Sequence, residues 1–227
     1  MKVLRVILKL GTIGITIGVV LAVLYLLLIR PLIFRMGATT DEVKMSLPGD
    51  GWVASLGTRC TQAITIKAPK EIVWAYVVQM GYRKGGWYNW DFINRLAAKD
   101  YFYENNRSAE RIIPELQNLA KGDSIYLTPQ IPPFHVSEMN NNYVLFTARE
   151  KESYDVTWVY FLEEVDVDKT RLIVRWTSDV SSGLLQKTFD LFITEPGGFG
   201  IQQAQNLKGI KKRAESDYLK MSSKVVN

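Results

Sequence analysis

The sequence predicts an α+β fold in which an antiparallel sheet carries its helices on one face. The elements follow the order of a strand, two short helices, a run of short strands and one long C-terminal helix. The two clearest strands are separated by a short turn, which is typical of an antiparallel hairpin. The last helix has an apolar stripe over about six turns. An antiparallel sheet with its helices gathered on one face is a common way to bury a single core.

The first 35 residues differ from the rest of the chain. Residues 10–29 form a run of 20 without any charge. Roughly 20 apolar residues are what a helix needs to cross a membrane. A cleaved signal peptide is the alternative, but its apolar region is usually about 7 to 15 residues and ends at a small-residue cleavage site. Here the run ends at Arg30-Pro31, so we expect a retained single-pass anchor over residues 1–35.

The charge distribution bears on the side of the membrane and on partners. Basic residues flank the apolar run on both sides: Lys2, Arg5 and Lys9 before it, Arg30 and Arg35 after it. Because the basic residues before the run outnumber those after it by one, the positive-inside bias leans towards an extracytoplasmic C-terminal domain. The first 35 residues hold five of the 28 basic residues and none of the 23 acidic ones, which leaves 23 of each from residue 36 onward. A part without net charge lacks the basic footprint of nucleic-acid binding.

Residues 36–57 are predicted to connect the anchor to a soluble domain at residues 58–227. They contain Pro48-Gly49-Asp50-Gly51, a strong breaker cluster. The part beyond the anchor is long enough to bury one sizeable core, and we see no internal repeat. The single cysteine, Cys60, cannot form an internal disulfide. Nothing in the sequence indicates an oligomeric state.

The soluble part begins with alternating residues at 60–67, which predict a strand with one buried face. Ala68-Pro69 then opens a helix, because proline is well tolerated in a first helical turn. Its apolar face is formed by residues spaced four apart: Ile72, Tyr76 and Met80. Gly81 is expected to end this helix in the position where a left-handed cap is common. A second, shorter helix is predicted over residues 90–98.

The rest of the domain is predicted as strands followed by helix. Short strand candidates cover residues 124–127, 135–138, 143–149, 155–163 and 171–177. The last two form a hairpin across Asp166 to Lys169, since bulky residues alternate along both. Helical residues near 185–192 are expected to stop at Pro196-Gly197-Gly198. A long amphipathic helix then runs from Ile201 to Met221.

The stretch GYRKGGWYNWD, residues 81–91, is the main candidate for a functional site. It combines three glycines with four large aromatic residues: Tyr82, Trp87, Tyr88 and Trp90. Glycines permit sharp bends and close approach, and these rings join a large apolar surface to a polar tip. The combination favours the wall or mouth of a pocket. Alternatively, the glycines make an ordinary turn and the rings pack into the core.

Catalytic chemistry finds little support in the sequence. One histidine and one cysteine cannot supply a zinc cluster, and HExxH, GxSxG and GxxxxGK[ST] motifs are missing. We therefore predict no metal, no cofactor and no assigned catalytic residue. Polar residues near the stretch remain as candidates to orient a ligand: Asp91, Glu115 and Gln117. A buried carboxylate among them would also suit acid or base chemistry. Alternatively, Asp91 caps a helix and Glu115 pairs with Arg83 or Arg111.

Four blocks of the sequence resemble a known superfamily: AITIKAPKEIVWAYVVQMGYRKGGWYNWD, RIIPELQNLAKGD, TRLIVRW and GIKKRAE. They are similar to an uncharacterised bacterial branch of the START-like, or SRPBCC, helix-grip proteins, over roughly residues 37–216. The most specific part is the pair GxxxGGWYxxD and PELQxLxxGD. The resemblance implies a curved sheet wrapped around a long C-terminal helix, with a deep apolar cavity. The roles of the superfamily include lipid and hormone binding, polyketide cyclisation and chaperone co-factors, so the fold does not decide function.

These observations predict a membrane-anchored protein that binds a hydrophobic, lipid-like small molecule. The cavity is expected to be closed by residues 81–91 and lined by Trp158, Tyr160 and Trp176. Two alternatives remain open. One is a cyclase- or aromatase-type enzyme acting on an apolar substrate, and the other is an interaction module whose interior is filled by side chains.

Overall fold

The computed structural model describes residues 2–53, 55–149, 155–179 and 184–225. The α-helices are α1 (Lys2–Leu24), α2 (Arg30–Phe34), α3 (Thr40–Lys44), α4 (Lys70–Val78), α5 (Asp91–Ala97), α6 (Leu184–Phe189) and α7 (Gln203–Val225). The strands are β1 (Leu56–Ile66), β2 (Ser124–Ile125), β3 (Phe134–Met139), β4 (Tyr143–Ala148), β5 (Val156–Asp166) and β6 (Lys169–Asp179). Two π-helical segments, Tyr25–Ile29 and Asp190–Gln202, and a 3₁₀ turn, Pro114–Leu116, complete the described elements.

The six strands form one antiparallel sheet in the order β1-β6-β5-β4-β3-β2. The predicted hairpin is confirmed, since β5 and β6 pair over their whole length from Val156↔Ser178 to Asp166↔Lys169. The long helix α7 packs across the concave face of the sheet, which we call the inner face. The predicted α+β class is therefore confirmed, and the architecture is that of a helix-grip fold: a curved antiparallel sheet around a long C-terminal helix.

Helix α4 is placed by its apolar residues and by the residues at its two ends. Pro69 precedes its first turn with φ −56°, an angle that its ring favours. Tyr76 and Val77 are fully buried in the main core. Met80 lies beyond the last helical residue and is also buried. Gly81 follows with φ +127°, a conformation that glycine adopts readily, so the chain turns sharply into the stretch 81–91.

The outer face of the sheet is covered by residues 36–53, the segment predicted as a connector. Its helix α3 begins with a capping box in which Thr39 and Glu42 satisfy each other's backbone N–H groups. Leu47 packs against residues of the strands, and Ala63 of β1 is 4% exposed beneath this layer. The prediction that β1 has one buried face is therefore wrong, because a segment distant in sequence covers its second face.

The predicted break at Pro196-Gly197-Gly198 is also wrong. Residues 184–225 are helical without interruption, as α6, the π-helical segment Asp190–Gln202 and α7. The residues at both junctions, Phe189 and Gln203, have right-handed helical dihedral angles. A π-helix pairs residues five apart, and this wider spacing accommodates proline and two glycines where an α-helix would be disrupted.

Residues 2–34 also form one continuous helical segment, which we call the anchor helix. Its part Lys9–Phe34 is long and apolar enough to cross a membrane. Large apolar side chains along it are exposed, among them Leu21, Leu27 and Leu32. Its C-terminal end contacts the π-helical segment and β1.

Candidate functional site

Six aromatic side chains form a continuous group between the inner face of the sheet and α7, which we call the aromatic cluster. Its members are Trp87, Phe134, Phe146, Trp158, Tyr160 and Trp176. Trp87 stacks on Trp158 with ring centroids 5.1 Å apart. Trp158 meets Trp176 edge to face at 5.4 Å. The structure thus brings Trp87 of the 81–91 stretch together with three candidate lining residues of the sheet.

Two amide side chains of α7 reach into the aromatic cluster. The indole N–H of Trp158 donates to Gln203 Oε1 at 3.0 Å. The Tyr160 hydroxyl donates to Asn206 Oδ1, also at 3.0 Å. Asn206 Nδ2 in turn donates to the carbonyl oxygen of Trp87 at 2.7 Å. The helix is therefore held to the rings through neutral hydrogen bonds on one side and through apolar contact on the other.

The polar groups in the aromatic cluster are uncharged. Burial raises the pKa of the Tyr160 phenol well above its ordinary value, because desolvation disfavours the phenolate. The phenol therefore stays protonated at physiological pH and acts as a donor. The buried indole N–H of Trp87 makes no hydrogen bond of standard geometry within the described residues, although it lies near the Tyr101 phenol. The aromatic cluster is therefore an apolar wall with a few neutral hydrogen-bond donors and acceptors.

A line of hydrogen bonds continues from the aromatic cluster towards the anchor helix. Gln203 Nε2 donates to Gln62 Oε1 at 3.3 Å. Gln62 Nε2 donates to the carbonyl oxygens of Ile33 at 2.7 Å and of Gly200 at 2.9 Å. Gln62 is fully buried, and so the end of the anchor helix is tied to the interior by one amide.

A second buried amide, Gln79, joins the two most distinctive sequence blocks. Its Nε2 donates to the Tyr88 hydroxyl at 2.9 Å, and its Oε1 accepts from the backbone N–H of Ile113 and from Gln117 Nε2, both at 2.9 Å. Tyr88 itself has φ +54°. The candidate residues Tyr88 and Gln117 therefore stabilise the conformation of the 81–91 stretch. They are not members of the aromatic cluster.

The 81–91 stretch also packs very closely against α7. A Cβ added at Gly209 would overlap the carbonyl oxygen of Tyr88. The guanidinium of Arg213, one turn further along, lies over the Tyr88 ring at 4.9 Å from its centroid. Glycine at position 209 is therefore what allows the helix to close against this stretch.

Three of the candidate residues lie away from the aromatic cluster. Tyr82 is partly exposed and donates its hydroxyl proton to Asp100 at 3.0 Å. Trp90 is 38% exposed. Glu115 is exposed to solvent. These residues do not converge on the aromatic interior.

Asp91 does not cap a helix, as the alternative predicted. Its carboxylate accepts hydrogen bonds from the backbone N–H of Ser108 at 3.1 Å and from the Ser108 hydroxyl at 2.6 Å. Trp90, and not Asp91, occupies the N-cap of α5. The predicted pairing of Glu115 with an arginine is wrong as well: Arg83 pairs with Asp100 and Arg111 with Glu104.

The rings of Trp158 and Tyr160 pack against other members of the aromatic cluster between the sheet and α7. Two pockets formed by described residues lie elsewhere, on the surface. One, of about 190 Å³, is bordered by residues 104–111, and the other, of about 470 Å³, by the outward side of α7.

Sequence reasoning missed the amides Gln203, Asn206 and Gln62. A signal for two of them was present, because Gln203 and Asn206 lie three residues apart on the same side of α7 as the buried Ile210. Polar residues within an otherwise apolar helical stripe indicate partners in the core. For Gln62, the alternation of residues along β1 predicted the face of the strand on which the side chain lies. It did not predict the hydrogen-bond partners of the amide.

No protein-family model and no curated protein matches the sequence. Among solved structures, a hypothetical protein, jhp0584, from Helicobacter pylori is similar at 10% identity and a TM-score of 0.43, covering 78% of this chain and 99% of that one. Zhui aromatase/cyclase from Streptomyces sp. R1128 has 10% identity and a TM-score of 0.39, covering 70% and 93%. The self-sacrificing resistance protein CalC from Micromonospora echinospora has 13% identity and a TM-score of 0.41, covering 70% and 95%. Likenesses this remote carry no argument about function, and membership of the START-like superfamily stays a prediction.

Proposed function

We propose that this protein is a membrane-tethered binding protein for a hydrophobic, lipid-like small molecule. The guest lies between the inner face of the sheet and α7, against the aromatic cluster. The observation that carries the proposal is the composition of this interior: six rings whose few polar groups are neutral, two of them bonded to amides of α7. Such an interior matches a guest that is largely apolar and has a single polar group.

The aromatic cluster suits a guest of varied shape. Aromatic rings offer a large apolar area with few rotatable bonds, and they pack in several offset or edge-to-face arrangements of similar energy. The amides of Gln203 and Asn206 each have donor and acceptor atoms, so they exchange partners with a guest without leaving a buried charge. The indole N–H of Trp87 is a donor without a standard hydrogen bond within the described residues.

The conformation described here is a closed one, and a guest enters by separating α7 or the 81–91 stretch from the sheet. Binding then replaces ring–ring contacts by ring–guest contacts. The anchor helix holds this interior next to a bilayer, which is a source of lipid-like molecules. The charge distribution around the anchor favours an extracytoplasmic location for the domain.

An interaction module without a ligand is the second candidate. The ring–ring contacts of the aromatic cluster favour it, because rings that pack on one another leave less room for a guest. The cyclase alternative has less support, since Asp91 is engaged with Ser108 and Glu115 faces solvent.

The test is to identify what copurifies with the full-length protein. Native mass spectrometry of the chain released from detergent micelles is expected to show a bound apolar compound. Trp87→Ala removes a ring of the aromatic cluster and is expected to lower the bound fraction severalfold. Trp90→Ala makes the same chemical change in the same stretch at an exposed position, and it should leave the bound fraction unchanged.

Two results would reject the binding proposal. One is a wild-type protein that is consistently empty and also gains no thermal stability when a dispersed fatty acid is added. The other is equal loss of the compound in both tryptophan variants. Trp87→Phe retains an aromatic ring, and near-ultraviolet circular dichroism of each variant establishes that it is folded.

A further inference from the structure

A segment near the C-terminal helix exposes large apolar side chains beside the anchor helix. We call residues 184–195 the flanking segment. Leu185 is 88% exposed, Phe189 56% and Ile193 58%. These residues belong to one helical stretch that continues into the buried part of α7. Transfer of such side chains from water to apolar surroundings is favourable, so an apolar medium would stabilise this surface.

The flanking segment runs side by side with the anchor helix and in the same direction. The Tyr25 ring packs against Phe192 with centroids 5.3 Å apart. Further along both chains, Arg30 Nη2 lies 2.8 Å from Glu195 Oε2. Because the paired residue numbers increase together, the two helices are parallel. The contact leaves Leu185, Phe189 and Ile193 exposed.

The backbone of the flanking segment receives a hydrogen bond from the anchor helix where its own pattern fails. In a π-helix the N–H of residue 196 would donate to the carbonyl of residue 191. Pro196 has no N–H. The Tyr25 hydroxyl donates to the Leu191 carbonyl oxygen at 3.0 Å instead. Proline in membrane helices is tolerated where a neighbouring helix satisfies the freed backbone group in this way.

We propose that the flanking segment inserts into the bilayer next to the anchor helix, as a second, re-entrant membrane element. This inference rests on the proposed membrane anchoring. The occupant of the exposed apolar surface is the hydrocarbon of the leaflet nearest the domain. The argument is the contact with Tyr25, which lies within the apolar span Lys9–Phe34.

The ion pair of Arg30 with Glu195 marks the level at which both helices leave the hydrocarbon. Their side chains are 26% and 11% exposed. Glu195 is also bonded to Thr58 at the start of β1. Both Phe189 and Leu185 lie below this level, and at about 1.5 Å per α-helical residue Leu185 lies about 6 Å deeper than Phe189.

Two charged side chains of the flanking segment lie below this level: Lys187 is exposed and Asp190 is partly buried. A lysine in a membrane helix extends its four-carbon stem towards the headgroups, and an acidic side chain there faces partners within the protein. The segment is therefore compatible with insertion to one leaflet and too short to cross the bilayer, which needs about 20 residues.

Depth-dependent fluorescence quenching of the full-length chain in phosphatidylcholine vesicles tests the inference. Single cysteines are introduced as Leu185→Cys, Phe189→Cys and Ile193→Cys and labelled with an environment-sensitive NBD dye. The native Cys60 is fully buried, and the unsubstituted chain measures its background labelling. Lipids with a nitroxide on the acyl chain are expected to quench all three dyes, with the deepest position at residue 185.

Two reference positions separate the inference from the anchor on which it rests. Leu27→Cys lies in the anchor helix, and Val167→Cys lies in the exposed β5–β6 turn at the far end of the sheet. Quenching at residue 189 comparable with that at 27, and none at 167, supports insertion. Quenching at 27 without quenching at 185 and 189 overturns the inference and leaves the anchor intact. No quenching at 27 rejects the membrane anchoring itself, and the inference with it.

A crosslink checks that the labelled chains keep this packing. Tyr25→Cys with Phe192→Cys is expected to be joined by a short, flexible bifunctional maleimide in the vesicles, because the two side chains are neighbours. Tyr25→Cys with Leu185→Cys is the matched control and should not be crosslinked, because Leu185 lies seven residues before Phe192 along the flanking segment. Crosslinking in the control alone, or in neither, contradicts the side-by-side arrangement.

Discussion

The two faces of the sheet are closed in different ways. On the outer face, the guanidinium of Arg175 is 1% exposed and bonds to Asp50, Thr61 and three backbone carbonyls of residues 42–45. On the inner face, the rings of the aromatic cluster meet α7 through two neutral amides. The outer face is therefore fixed by a charged guanidinium with directional hydrogen bonds. At the aromatic cluster, the inner face is held by ring contacts and uncharged hydrogen bonds.

This difference indicates which face admits a guest. Charge-assisted hydrogen bonds are about twice as strong as neutral ones and more demanding in geometry. Burial lowers the pKa of Arg175, and Asp50 acts in the opposite direction. The guanidinium stays charged, so separating the outer layer would leave a desolvated cation without its partners. Separating the first turns of α7, which hold Gln203 and Asn206, breaks only neutral hydrogen bonds, and we expect the inner face to open there.

Replacing Arg175 is expected to have the largest effect on stability. Arg175→Met keeps much of the volume but leaves Asp50 and the backbone carbonyls without their donor. Breaking a buried pair in this way costs about 3–5 kcal/mol. Arg107→Met removes an exposed arginine 3.9 Å from Glu110 and should change the free energy of unfolding by less than about 1 kcal/mol. Urea unfolding of the full chain in detergent measures both, and similar small losses would show that the outer face is not locked.

Gly209→Ala is expected to have the next largest effect on stability. The added methyl group meets the Tyr88 backbone carbonyl, which cannot rotate away, so α7 must shift from the 81–91 stretch. Overpacking of this kind costs typically about 1–3 kcal/mol. Gly197→Ala is the matched control, because no atom lies within 4 Å of its added Cβ. Thermal unfolding of both variants is the measurement, and equal melting temperatures would contradict the close packing.

Asn206→Leu removes the amide that joins Tyr160 to the backbone of Trp87. The buried phenol and carbonyl lose a partner, and a loss of about 1–2 kcal/mol is expected. Adding Tyr160→Phe should recover part of this loss, since the phenol without a partner is then gone. A double-mutant cycle of unfolding free energies gives the coupling between the two residues. Strict additivity would mean that their hydrogen bond contributes nothing.

The smallest expected effect is on the stability of the protein at acidic pH. The hydrogen bond from Arg171 lowers the pKa of Glu42 below its ordinary 4.5. A carboxyl whose pKa is lower in the folded state stabilises it above the ordinary pKa, and the contribution is lost as pH falls through the folded value. Glu42→Gln should therefore lower stability at neutral pH and flatten its decline below about pH 4.5. The exposed Glu115→Gln is the control, and identical profiles for the two variants would contradict the prediction.

Much of the fold follows from local patterns. The β5–β6 hairpin and α7 were predictable because their periodicities of two and 3.6 persist over many residues. The start of α4 was predictable from Pro69. These elements carry their signals within a few residues, so no long-range contact was needed to identify them.

The remainder depends on partners distant in sequence. Residues 36–53 contain turn signals, but their packing on the sheet depends on Arg175, more than a hundred residues away. Pro196 indicates a break by itself, whereas Tyr25 supplies the hydrogen bond that Pro196 lacks. Composition identified the 81–91 stretch and yet did not separate Trp87, in the aromatic cluster, from the exposed Trp90.

Residues 184–225 form a single helical rod whose beginning and remainder have different surroundings. The proposed insertion places the flanking segment in hydrocarbon, while α7 closes over the aromatic interior. A tilt of the flanking segment therefore moves α7 relative to the sheet. Bilayer thickness would then act as a mechanical input, so that the occupancy of the interior differs between thin and thick membranes.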